Sequence, residues 1–261
     1  MKMGKFTHPA FPWTIVFSMV VMLVPGASGC RALSALPRSD AKVWKGATAT
    51  TAPEGLRRLF PAIVPLDVME THRCTGIFLS PRTIVTAAHC VRVSGRTLVH
   101  QPALGGQTPE SILIPPAWDE GDLSQDLALL VFGQPLGTQR GISVYPRMGG
   151  NINVGDPVFI AGYGFNEHRQ KPGEILWGTN KVRSLSAQYI DVKGMDEGDF
   201  PAGDDVTAAP GDSGGPIFDT RFNLVGITSR GCLPEEGCSL RVSEHLRLEG
   251  TLGRWISPRI Q

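Results

Sequence analysis

Gly211-Asp212-Ser213-Gly214-Gly215-Pro216 sets one serine inside a glycine-rich loop that ends in proline, a composition that forces the backbone onto an unusual path. Two upstream stretches complement it. Thr86-Ala87-Ala88-His89-Cys90 follows a strand-like run, and Gln125-Asp126-Leu127-Ala128-Leu129-Leu130 opens another, so the chain order is His, Asp, Ser. Hydrolysis of an amide needs a nucleophile, a base to take its proton and a donor pair for the oxyanion. Ser213 is the candidate nucleophile and His89 the candidate base and then acid. Asp126 would fix the imidazole tautomer and stabilise its charged form. A glycine at 211 lets the chain turn so that the N–H groups of Gly211 and Ser213 aim at one spot, a candidate oxyanion hole.

Around these stretches, short apolar runs recur between turn signals from Ala62 onward. They cover 62–66 (AIVPL), 76–80 (GIFLS), 83–88 (TIVTAA), 127–132 (LALLVF), 156–164 (DPVFIAGYG), 215–218 (GPIF) and 224–229 (LVGITS). These are strand lengths rich in Val, Ile and Phe, without a helical period. The 31 glycines and 21 prolines of the 261 residues fit many short strands joined by turns. An all-β barrel or sandwich is the coarse expectation. At the end, Ser243-Glu244-His245-Leu246-Arg247-Leu248 opens with an N-cap residue, and a terminal helix is expected from there through Trp255 and Ile256. With 25 Lys and Arg against 24 Asp and Glu, the net charge of +1 argues against a nucleic-acid surface. A hydrophobic content of 41% with 19% charged residues excludes a disordered tail and a membrane bundle.

Taken together, TAAHC, DLALL and GDSGGP resemble the trypsin/chymotrypsin family of serine proteases, over roughly residues 43 to 261. Cys74-Thr75-Gly76, Ala161-Gly162-Tyr163-Gly164, Val225-Gly226-Ile227-Thr228-Ser229 and Arg241-Val242-Ser243 fall in register with further family segments. The resemblance implies two antiparallel six-stranded β-barrels with the site in the cleft between them, a C-terminal helix, and an endopeptidase working through an acyl-enzyme on Ser213. It implies no metal or organic cofactor. Protein or peptide substrates are the implied partners, and a protein inhibitor is a further one. It also implies a disulfide between Cys74 and Cys90 beneath the catalytic histidine. A zinc reading of His72, Cys74, His89 and Cys90 competes with that bridge, but the ligand spacing is not a usual zinc pattern. The other histidines, His245 among them, are expected on the surface or in the leader.

Where the family usually carries a cysteine four residues before the nucleophile, this chain has Ala209. Cys232 is thereby left to pair with Cys238 in a small loop bridge. Thr207 stands where the family places the floor of its specificity pocket, so a neutral pocket is expected, with Ser229 and Gly231 also contacting substrate. Gly237 aligns with a further wall position. Arg230 takes the place of a common Trp and is expected to attract acidic side chains.

The first residues read as an address. Lys2 and Lys5 precede an uninterrupted apolar run, Ile15 to Val24, that is about half the length a membrane-crossing helix needs. Residues 1–29 are read as a signal peptide, 30–42 as a propeptide or spacer, and 43–261 as the peptidase domain. Ala27-Ser28-Gly29-Cys30 fits ordinary signal cleavage and also resembles a bacterial lipobox, in which Cys30 would be lipidated and anchor the protein to a membrane. A secreted or periplasmic location follows, as a soluble or a lipid-anchored form. In the family, a freed amino terminus pairs with the Asp before the nucleophile. Cleavage after Lys42 would make Val43 that terminus and Asp212 its partner. Two rival readings stand beside the protease: an esterase using the same three residues, and a non-catalytic, lipid-anchored binding module on the same fold. The missing G-x-S-x-G argues against a true α/β-hydrolase.

Overall fold

All seven apolar runs fold as strands, because each places Val, Ile or Leu against a shared interior. The computed structural model describes residues 46–67, 73–93, 96–97, 104–119, 123–165, 173–194, 203–232 and 241–260. Its strands are β1 (Ala47–Thr48), β2 (Ile63–Asp67), β3 (Arg73–Ser80), β4 (Thr83–Thr86), β5 (Arg92–Val93), β6 (Arg96–Thr97) and β7 (Ser111–Leu113). They continue with β8 (Ala128–Val131), β9 (Pro157–Gly162), β10 (Leu176–Leu185), β11 (Tyr189–Lys193), β12 (Pro216–Phe218), β13 (Leu224–Cys232) and β14 (Val242–Arg247). No helix among the described residues is long and apolar enough to cross a membrane.

The later strands run β1-β10-β11-β14-β13-β12-β9, and β9 pairs back onto β10. The result is a closed six-stranded antiparallel barrel, with β1 laid along β10 as an appendage. Val158, Ile160, Val182, Ile190, Val192 and Ile217 fill its interior. The earlier strands form a five-stranded antiparallel sheet, β2-β3-β4-β8-β7, packed on Ile77, Phe78, Ile84, Leu129 and Leu130, all fully buried. Burying side chains of this size contributes roughly 1.5–3 kcal/mol each. Among the described residues this first sheet does not close, and β5 pairs with β6 in a separate two-stranded ribbon. The mostly β architecture is thus the expected one, with a closed six-stranded barrel and a second sheet.

The C-terminal helix is present but shorter than expected. It spans Gly250–Ile256, while residues 242–247 are strand β14. Ser243 does not cap a helix, because β14 is held on both sides, by β11 and by β13, and the barrel needs it to close. The alternation shows in burial, with Ser243 and His245 inside and Glu244 only partly covered. Because those inward positions are polar, hydrophobic spacing does not reveal the strand.

Candidate active site

Asp126 is fully buried just ahead of β8, and three donors converge on it. His89 Nδ1 lies 2.7 Å from its Oδ2, the His89 N–H donates to Oδ1 at 2.9 Å, and Ser229 Oγ donates to Oδ2 at 2.7 Å. A carboxylate accepts at Nδ1, so the imidazole proton sits there and Nε2 is left as the acceptor. The His89 side chain is about a third exposed (35%) while that of Asp126 is not exposed at all. The histidine therefore presents one edge to solvent and is held at the other.

The Ser213 backbone is held by β3 and lies against Cys90, the residue after His89. Its carbonyl accepts the Thr75 N–H at 2.8 Å and lies 3.6 Å from Cys90 Sγ. The sulfur is in a disulfide and has no proton to donate, so the latter is a packing contact. The Gly214 N–H donates to the Thr228 carbonyl at 2.7 Å, and Thr228 N–H returns a bond to Gly215 at 2.8 Å. Among the described residues Ser213 Oγ makes no hydrogen bond to His89; in unliganded sites such bonds are commonly long and tighten with substrate.

Gly211 adopts φ +103° and Gly214 φ +80°, conformations that favour glycine. With those turns made, the N–H groups of Asp212, Gly214 and Gly215 are bonded to the carbonyls of Ala209, Thr228 and Asp212. Those of Gly211 and Ser213 carry no such bond among the described residues. They are the two donors the sequence reading assigned to an oxyanion.

One residue was not singled out in the sequence. Thr75, fully buried on β3, donates its hydroxyl to the Gly211 carbonyl at 2.9 Å and accepts the Tyr163 N–H at 3.0 Å. Its own carbonyl accepts Thr86 Oγ1 at 2.8 Å. Thr75 thus ties the nucleophile loop, the segment after β9 and the strand leading to His89 together. Its place in Cys74-Thr75-Gly76 was the only available signal, and a short polar side chain between two small motifs does not announce such contacts.

Asp212 is also fully buried. The N–H groups of Ala209 and Gly164 donate to its carboxylate at 2.9 and 2.8 Å, yet burial outweighs them and pushes its pKa up to about 6. No cation pairs with it among the described residues. Cys74 and Cys90 form the expected disulfide, with Cα atoms 6.1 Å apart. Both sulfurs are consumed by it, so the zinc reading fails even though the ligand atoms of Cys74, His89 and Cys90 cluster within 4.8 Å. Arg230 does not offer a free charge: it pairs with Glu244 and lies 5.2 Å from the Tyr189 ring centroid. His245, expected on the surface, is fully buried. Val43, Cys30, Gly237, His72, Cys238 and the side chain of Cys232 lie outside the described residues, and with them the Cys232–Cys238 bridge.

The family sequence profile for Trypsin matches residues 51–243. The chain belongs to the trypsin family. Within that family it is 27% identical over 253 residues to "Trypsin, alkaline B" of Manduca sexta, covering 82% of this chain and 89% of that one. It is 29% identical over 206 residues to "Cercarial protease" of Schistosoma mansoni, covering 66% and 75% respectively. A solved Glu endopeptidase in complex with MPD superposes with a TM-score of 0.59 at 16% identity, covering 77% of this trypsin-family chain and 92% of that one. Neuropsin, a serine protease expressed in the limbic system of mouse brain, superposes with a TM-score of 0.54 at 18% identity, covering 78% and 96%. This trypsin-family protein is a serine-type endopeptidase, a hydrolase whose substrates are proteins or peptides.

Proposed function

We propose that Ser213, His89 and Asp126 carry the peptide-bond hydrolysis. Ser213 Oγ attacks the scissile carbonyl and its proton passes to His89 Nε2. The N–H groups of Gly211 and Ser213 receive the oxyanion, the C–N bond breaks with the proton returned to the leaving amine, and water cleaves the acyl-enzyme by the same route. The observation that carries this reading is the fully buried Asp126, which holds His89 Nδ1 at 2.7 Å while the nucleophile loop is bonded to β3 at Thr75. Labelling with a fluorophosphonate probe tests it. An adduct on Ser213, lost in Ser213→Ala and His89→Ala, is the expected result; unlabelled wild-type enzyme that has been correctly processed refutes it.

Activation is proposed to follow cleavage after Lys42. Among the described residues no cation pairs with the buried Asp212, and an amine beside it would favour its charged form. Val43 lies four residues before Ala47 of β1, a reach of about 14 Å when extended. Export is supported by Lys2, Lys5 and the Ile15–Val24 run, and lipidation by Cys30. The two proposals are linked, since a cut after Lys42 parts the peptidase domain from a Cys30 anchor. N-terminal sequencing of the active form is expected to begin at Val43; active enzyme beginning at Cys30 or Arg31 overturns the activation step.

A further inference from the structure

A groove of about 450 Å³ opens on the outside of the closed barrel, with Val154, Asn180, Lys181, Arg183, Lys193 and Asp205 in its lining. β10 and β11 shape it. They pair Val182 with Val192, both buried in the barrel, and side chains alternate along a strand, so Lys181 and Lys193 stand opposite each other on the outer face. The register then shifts between Val182 and Ser184, which makes Arg183 the extra residue of a bulge. Lys181 and Arg183 are exposed and Lys193 is half-buried.

Such a cluster does not serve stability. Like charges directly opposite on antiparallel strands destabilise the pair. Among the described residues no carboxylate is ion-paired with Lys181, Arg183 or Lys193. The carboxylate in the lining, Asp205, is taken by Arg241 at 2.7 Å. That arginine is 2% exposed and lies beneath Gly194, where a Cβ would come within 2.8 Å of the guanidinium. Nearby, Asp191 accepts the Ser184 hydroxyl at 2.5 Å and Asp156 accepts the Asn153 N–H at 2.8 Å. The described lining therefore carries three cations beyond its one ion pair, in a chain whose net charge is only +1.

An apolar contact adjoins the cations. Val154 lines the same groove at 62% exposure, and it is the one large apolar side chain exposed among the described residues. The floor is fixed: Asn180 Nδ2 donates to the Val206 carbonyl at 2.9 Å, just ahead of the buried Thr207. The groove is also set apart from the catalytic groups. Lys181 stands five positions along β10 from Leu176, about 17 Å. Leu176 pairs with Gly162, where a Cβ would fall on the carboxylate of Asp212, the residue before Ser213.

We propose that this groove is an exosite that holds an acidic segment of a protein substrate, away from the bond that is cut. Lys181, Arg183 and Lys193 meet the carboxylates of that segment, and Val154 meets an apolar residue among them. The opposed lysines are kept apart by an anion between them, which turns a cost in the free enzyme into affinity for the bound segment. A flat lipid surface would not reach the half-buried Lys193 inside a groove, whereas a peptide carboxylate does. Asp196, Glu197 and Asp199 follow Gly194 in the sequence and lie outside the described residues, so the full chain, with these acids in place, is the form to test.

Full-length Ser213→Ala protein is titrated with a fluorescein-labelled Glu-Glu-Leu-Glu-Glu peptide and with its Gln-Gln-Leu-Gln-Gln counterpart, followed by anisotropy. The acidic peptide is expected to bind about tenfold or more tightly, and its affinity to fall several-fold between about 50 and 500 mM salt. Lys181→Glu combined with Lys193→Glu should abolish the difference, and Val154→Ser should weaken binding about threefold. Lys193→Glu alone should leave the urea midpoint level or raised, because it removes a repulsion; a lowered midpoint would mean that the lysine serves the fold. In active enzyme, a cleavable peptide is joined to the acidic segment by a Gly/Ser linker of about 20 residues, which spans about 25 Å. Its KM should be about tenfold below that of the Gln version with kcat unchanged, and the double lysine variant should lose this gain while cleaving the unlinked peptide as wild type does. Equal binding of the two peptides, or binding that survives the double lysine variant, overturns the exosite. So does binding to phosphatidylserine vesicles without binding to the peptide. The titration needs no turnover, so a failure of the Ser213 reading would leave its result standing.

Discussion

Thr75 Oγ1 donates to the Gly211 carbonyl at 2.9 Å while accepting the Tyr163 N–H at 3.0 Å. One hydroxyl from the first sheet thereby fixes the residue whose N–H is proposed to meet the oxyanion. Thr75→Val keeps the shape and removes both bonds. It should cost about 1–3 kcal/mol, because a buried N–H and a buried C=O lose their partner. The kcat is expected to fall roughly ten- to a hundredfold with KM little changed, since the donor is displaced from where charge develops. Thr75→Ser should restore both stability and kcat. Steady-state kinetics beside urea unfolding separate the two effects; equal losses in stability with unchanged kcat would mean that Thr75 only holds the sheets together.

Gly214 sits at φ +80°. A Cβ there would fall on Thr86 Oγ1 and the Thr75 carbonyl and lie 2.7 Å from the Ala87 nitrogen. Two of these three neighbours are buried backbone atoms, one on β3 and one just after β4, and cannot swing away. Gly214→Ala is therefore expected to lose about 3 kcal/mol or more and nearly all activity. Gly105→Ala is a control for left-handed strain alone, because at φ +74° its Cβ would meet nothing within 4 Å. Denaturant midpoints for the two variants measure the difference.

The Cys74–Cys90 disulfide closes a loop of sequence separation 16. Replacing both cysteines by alanine should cost about 3 kcal/mol by loop-closure entropy, seen as a fall in melting temperature on the order of 10 °C. The wild-type protein in strong reductant should approach the same value. A double variant that melts with wild type would place the stabilisation elsewhere.

Two buried groups pull the pH dependence of stability in opposite directions. The Asp212 pKa rises from 3.8 to about 6, so its contribution is full below pH 3.8 and is lost as pH climbs through about 6. The His245 pKa falls from 6.5 to about 3, so its contribution is full above pH 6.5 and is lost as pH drops towards 3. Each is worth on the order of 3–5 kcal/mol over its window. Between about pH 4 and pH 6 the two slopes cancel, and below that range only His245 acts. Asp212→Asn in the uncleaved protein should therefore become steadily less stable as pH falls from 6.5, where the parent stays level to about pH 4. Urea unfolding of Ser213→Ala protein, with and without Asp212→Asn, at pH 4 to 7 checks this. Parallel curves would show that Asp212 is not strained by burial.

How far the sequence reached can be judged strand by strand. β2, β3, β4, β8, β9, β12 and β13 were legible because their apolar residues are contiguous and bounded by turns. β10 and β11 were not. In β10, Lys181, Arg183 and Ser184 face solvent, so hydrophobic content stays low although Leu176, Trp177 and Val182 are buried. In β14 the inward residues are Ser243 and His245, satisfied by each other and by Thr228, and pattern reading took the segment for a helix and the histidine for a surface one.

The sequence by itself determined the family, the mostly β class, the nucleophile loop and the three candidate catalytic residues, because these are written in local spacing and in residue chemistry. It also identified Cys74 and Cys90 as a pair through the family resemblance. Tertiary structure alone decided what stands behind them: Thr75 against Gly211, Ser229 against Asp126, Glu244 on Arg230, and an uncharged His245 in the barrel. The physical reason is that hydrogen bonding and burial depend on which strands become neighbours. Gly211 and Thr75 are 136 positions apart in the chain, and only the packing of one sheet against the other brings a hydroxyl to a carbonyl there.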